Sequence, residues 1–144
     1  IPFVAALVGM VLGGRHSDRT GERKWHVAVC ALVAAAALLL AIAFQDNVWM
    51  LVVAFTLSQL GQRSLLAVFW AIPPIFLGGT AAAAGIALIN SLGNLGGWVG
   101  PTVVGWLRGS SGNYTSGLLV LTAALVVEAA LVASMRLPRQ SRSA

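Results

Sequence analysis

From Ser64 to Leu107 the chain carries no Asp, Glu, Lys or Arg, and similar apolar blocks recur on either side, broken by short polar clusters. A bilayer core takes about 20 apolar residues per helix, and the blocks have that length. The pattern predicts the end of one helix over 1–12, a polar loop over 13–25, and spans over 26–44, 48–72, 82–107 and 115–135, with a tail over 136–144. Gln45, Asp46 and Asn47 close the first full span. Pro73-Pro74 stop the second, because proline removes a backbone donor and disfavours helix just before it. Arg108 to Asn113 form a Gly/Ser turn. Neither the alternation of a β-barrel strand nor a charged heptad is present. The expected fold is an all-α membrane protein: four complete transmembrane helices plus the end of a fifth.

The opening stretch IPFVAALVGMVLG has no basic lead-in and no cleavage site, so it reads as the second half of a membrane helix and not as a signal peptide. The chain is therefore expected to be a fragment of a longer protein.

Composition strengthens this picture. Hydrophobic residues make up 58% of the chain and charged residues 9%, against roughly 45–50% and 25% in soluble domains. Nine Lys and Arg outnumber four Asp and Glu. That excess flanks apolar spans, which points to a membrane surface and away from nucleic acid. Seven of the basic residues (Arg15, Arg19, Arg23, Lys24, Arg136, Arg139, Arg142) fall in the 13–25 loop and the tail. The positive-inside rule makes both cytoplasmic, as an even number of intervening spans requires. Trp25, Trp49 and Trp106 fall at span ends, where an amphipathic indole suits the interface. Cys30 lies inside an apolar span and is expected to be a small packing residue.

The charged loop carries more than charge. Gly14, Asp18-Arg19, Gly21 and Arg23-Lys24 follow the spacing G-x-x-x-D-R-x-G-x-R-K. Glycine permits a tight turn, Asp18 can face the positive end of a helix, and the basic residues can latch neighbouring helix ends. This spacing resembles the cytoplasmic loop motif of the major facilitator superfamily, a gating element that lies between the second and third helices and again between the eighth and ninth. With four spans following it, the resemblance implies the second copy. The spans then become helices nine (26–44), ten (48–72), eleven (82–107) and twelve (115–135), and 1–12 the end of helix eight. It also implies a main partner for the loop in a missing N-terminal half.

Phe69 to Gly105 sharpens the likeness. Gly93-x-x-x-Gly97 and Gly96-x-x-x-Gly100 alone mark close helix packing. The whole string, FWAIP followed by AAGIALINSLGNLGGWVGP, resembles the anion:cation symporter family, whose members include tartrate- and phthalate-permease-like proteins. Membership implies alternating-access transport of small organic anions in symport with protons, across the inner membrane. It implies no enzymatic activity.

Arg63 is the foremost candidate for contact with substrate. It sits within the 48–72 span, where an unpaired cation costs at least ~2.5–3.5 kcal/mol, and its planar fork suits a carboxylate. Gln59, one turn earlier, shares its face, whereas Gln62 points aside and Ser58 lies at the edge. Asn90 and Asn94, also one turn apart, form a polar stripe that either lines a cavity or joins helices. Glu128 is read as a helix–helix or interfacial carboxylate, with a coupling role the lesser possibility. His16 and His26 are expected in solvent. There is no nucleophile–base pair, metal-ligand cluster, cofactor motif or P-loop. The expected partners are the lipid bilayer, an organic anion, a proton and the absent half of the protein. A carrier of drugs or neutral solutes, or a four-span scaffold, remains the alternative.

Overall fold

A computed structural model describes residues 2–135. It consists of α1 (Pro2–Thr20), α2 (Arg23–Ala43), α3 (Val48–Phe69), a single turn α4 (Pro73–Phe76), α5 (Gly79–Ser111) and α6 (Thr115–Ser134), with no strand among the described residues. Helix is the form an apolar chain must take in lipid, because it pairs its backbone groups within one segment. The hydroxyls obey the same constraint. Ser64, Thr56 and Thr122 each donate to a carbonyl one turn back, at 2.7, 2.6 and 2.8 Å.

α2 is the centre of the bundle. It packs between α3 and α6, while α1 lies against α3. Its buried face is largely alanine (Ala28, Ala31, Ala34, Ala35, Ala37, Ala41), which lets neighbouring backbones come close. Gly61 of α3 uses that room. A Cβ built there would stand 2.7 Å from the Cys30 carbonyl oxygen and 3.0 Å from the Ala34 nitrogen.

At one end of the bundle Gln45, just after α2, donates to the Thr115 hydroxyl at the start of α6 (3.1 Å). Nearby, the Asn47 side chain caps α3 by accepting from the Trp49 and Met50 amides. The starts of α2 and the ends of α3 and α6 gather at the opposite end. α2 therefore runs antiparallel to α3 and α6, whereas α1 runs parallel to α3, with Gly9 and Gly13 successively nearest Ser64.

Three segments are long and apolar enough to cross a membrane: Arg23–Ala43, Val48–Phe76 and Thr115–Ser134. α5 has the length, but glycine, asparagine and serine dilute its apolar character. It packs against α6 and α4 and has no buried residue. Phe3, Trp49, Leu92 and Trp98 lie wide open, as lipid- or partner-facing side chains do. The chain is an all-α membrane protein.

Several boundaries differ from the sequence expectation: α3 ends at Phe69 and not at 72, α5 covers Gly79–Ser111 and not 82–107, and the largest change is near the start. The first helix does not end near Leu12; α1 continues to Thr20, and α2 begins at Arg23. The expected loop over 13–25 shrinks to Gly21 and Glu22, because charged residues at a wet helix end need no loop to reach water. Gly14 is accordingly a helical residue, with the turn made at Gly21 (φ 70°). The 136–144 tail, with Arg136, Arg139 and Arg142, lies outside the described residues.

Candidate functional site

Two clusters of polar side chains stand out against the apolar bundle. The first is the joint between α1 and α2. Arg23, in the first turn of α2, donates to the Ala71 carbonyl just past the end of α3 (2.6 Å), and its other terminal nitrogen lies 3.6 Å from Asp18. Lys24 donates to the Ala133 and Met135 carbonyls at the end of α6, both at 3.2 Å, and stands 5.2 Å from the Trp25 ring centre. The last carbonyls of a helix lack intrahelical partners and carry partial negative charge, so cations belong there. One short stretch thus ties the ends of three helices together. Arg19 is exposed on the last turn of α1.

The same joint contains a pair that sequence reasoning missed. His16 Nδ1 and His26 Nε2 lie 2.5 Å apart, and His26 Nδ1 is 2.8 Å from the Glu22 carbonyl. A carbonyl accepts, so His26 Nδ1 donates. In the neutral ring Nε2 must then accept from His16. His16 is exposed and His26 partly so, and the two rings are linked to each other. Next to His16 in the chain, Ser17 Oγ is buried without a hydrogen-bond partner among the described residues.

The second cluster lines a groove of about 360 Å³ between α3 and α6, floored by Leu38 of α2. Ser58, Gln59 and Gln62 contribute from α3 and Glu128 from α6; the remaining wall is apolar. Gln62 Nε2 donates to Ser58 Oγ (3.1 Å). Positions 55, 58, 59 and 62 recur at helical spacing, so they form one face. Arg63 falls outside that face. It is exposed, with no hydrogen bond or ion pair to a described residue.

The structure therefore separates the four residues expected to contact substrate. Gln59 is in the groove and Arg63 beside it, whereas Asn90 and Asn94 lie exposed on α5 and do not line it. Among the described residues no group of three or more His, Cys, Asp or Glu could hold a metal ion.

Spanning helices joined end to end, with a basic latch at one end and polar side chains at membrane depth, define a polytopic helical membrane protein. The family model for the Major Facilitator Superfamily matches residues 1–144, and the chain belongs to that superfamily. It is 47% identical over 131 residues to a putative tartrate transporter of Agrobacterium vitis, covering 91% of this chain and 29% of that protein. A second putative tartrate transporter of the same organism is 45% identical over 129 residues, covering 90% of this chain and 30% of the relative. A quinolone resistance transporter of Acinetobacter baumannii is 41% identical over 126 residues, covering 85% and 28%. The chain thus spans less than a third of the length of these relatives. No solved structure matches it.

Proposed function

We propose that this chain forms part of a secondary transporter that carries small organic anions, carboxylates above all, across the inner membrane by alternating access in symport with protons. The observation that carries this reading is the likeness to two putative tartrate transporters over nine-tenths of the chain. The described helices correspond to helices eight to twelve, and a second half of the protein completes the substrate path. Arg63 supports the anion assignment: it is an exposed guanidinium inside a spanning helix, facing away from the bundle. A cation there needs water, a carboxylate or a substrate anion. Gln59, Asn90 and Asn94 are the further substrate contacts in this reading. Gly14, Asp18, Arg19, Gly21, Arg23 and Lys24 form the gating latch, on the cytoplasmic side together with the C-terminal tail.

The relative named as a quinolone resistance transporter supports a second reading, a drug exporter of the same superfamily. Uptake of labelled tartrate and other dicarboxylates by the full-length protein in proteoliposomes, with Arg63→Ala beside wild type, separates the two. Saturable dicarboxylate uptake that falls at least tenfold in Arg63→Ala supports the anion carrier. Quinolone efflux without dicarboxylate uptake supports the exporter.

A further inference from the structure

We propose that Glu128 is a proton-binding site in the groove between α3 and α6, whose lining it shares with the amides of Gln59 and Gln62. Glu128 is the one charged residue of α6, and it precedes the helix end at Ser134 by about 9 Å of helix axis. That places it inside the span. It is half-buried and lines the groove with Ser58, Gln59 and Gln62.

The groove offers this carboxylate no fixed positive charge. Among the described residues Glu128 makes no ion pair, and Arg63, at a similar distance from the end of its own helix, does not line the groove. The other walls are Leu38, Phe55, Leu118 and neighbouring apolar residues. A carboxylate in such a place needs a cation or a proton.

The amides decide between them. A protonated carboxyl has one donor and remaining acceptor capacity, and an amide side chain offers the complement of both. Gln62 points an N–H at Ser58, which leaves its carbonyl oxygen and second N–H for another group. Gln59 adds a further amide from the adjacent position on the same face. One set of side chains can thus accept from the acid and donate to the carboxylate, and Glu128 can take and release a proton without rebuilding the groove. A divalent cation asks for about six to eight oxygen ligands, more than the carboxylate, the hydroxyl and the two amide oxygens of this groove supply.

The consequence, that this proton is the one moved with substrate, rests on the transport reading above; the protonation itself does not. The full-length protein is therefore treated with dicyclohexylcarbodiimide across a pH series and mapped by mass spectrometry. The acid proton passes to a carbodiimide nitrogen as the carboxyl oxygen bonds to the central carbon. The adduct then rearranges to a stable N-acylurea. Glu128 is expected to be labelled at pH 6 and at least tenfold less at pH 9, with Gln62→Leu moving the midpoint. Labelling that is absent, unaffected by pH, or abolished by sodium at fixed pH overturns the proposal.

In proteoliposomes Glu128→Gln should keep anion counterflow and lose at least tenfold in accumulation driven by a pH gradient. Accumulation equal to wild type, or loss of counterflow in a folded variant, overturns the coupling role. Wild-type protein without anion counterflow removes the transport reading alone, and the labelling then decides the site.

Discussion

The guanidinium of Arg23 spans 2.6 Å to the Ala71 carbonyl on one side and 3.6 Å to Asp18 on the other, so the start of α2 is fastened to the end of α3. The two contacts are unequal. Arg23 is 20% exposed and Asp18 71%, and an ion pair with one partner so open contributes about 0–1 kcal/mol. A charged donor on an otherwise unpaired carbonyl contributes about 1.5–3 kcal/mol. Arg23→Ala is therefore expected to lower the melting temperature in detergent clearly, and Asp18→Asn much less. Equal losses would show that the ion pair, and not the helix cap, closes this joint.

At Gly61 the backbones of α2 and α3 come close together. Any Cβ there meets the Cys30 carbonyl at 2.7 Å, and that atom is backbone, which cannot swing aside. Gly61→Ala gains up to about 1 kcal/mol of helix propensity, but overpacking costs about 1–3 kcal/mol, so the variant should be less stable. Gly14→Ala is the control. Nothing lies within 4 Å of a Cβ at that position, and it is helical, so the substitution should be neutral or stabilising. Thermal unfolding of both variants in one detergent checks the contrast.

Arg63 is exposed on α3, and its proposed role depends on the shape of its head group as well as its charge. Lysine keeps the charge but loses the bidentate fork, and the two are not interchangeable at such a site. Arg63→Lys should raise KM for a dicarboxylate about tenfold with little change in maximal rate, since 1.4 kcal/mol of binding corresponds to that factor. Concentration-dependent uptake measures it. A KM equal to wild type would mean that the residue serves only as a cation.

The spans were legible because apolar length in lipid leaves few alternatives, and the latch because cations next to helix carbonyls follow from the helix dipole. The joint was not. Gly13-Gly14 and the charges after them read as a loop, yet a helix end in water tolerates both, and the turn needs only Gly21 and Glu22. With the loop misjudged, nothing fixed His16 relative to His26. Gln62 was set aside because it lies off the face of Arg63, and the observed groove runs along the face that Gln62 does occupy. The i, i+4 stripe of Asn90 and Asn94 was readable from spacing alone. What faces it was not, because spacing fixes a helix's own face and says nothing about its neighbour.

The histidine pair joins α1 to the first turn of α2 by a side-chain contact. His26 Nδ1 donates to the Glu22 carbonyl, so the link to His16 forms either with both rings neutral or with one extra proton shared between them. Asp18, Glu22, Arg15, Arg19, Arg23 and Lys24 also crowd this joint, so single variants alone cannot isolate the effect. A double-mutant cycle on stability with His16→Ala, His26→Ala and the double variant removes the background. The coupling should be about 0.5–1.5 kcal/mol, the range for a hydrogen bond. Coupling near zero would show that the rings are merely neighbours, at their centroid spacing of 4.8 Å, and not joined by a hydrogen bond.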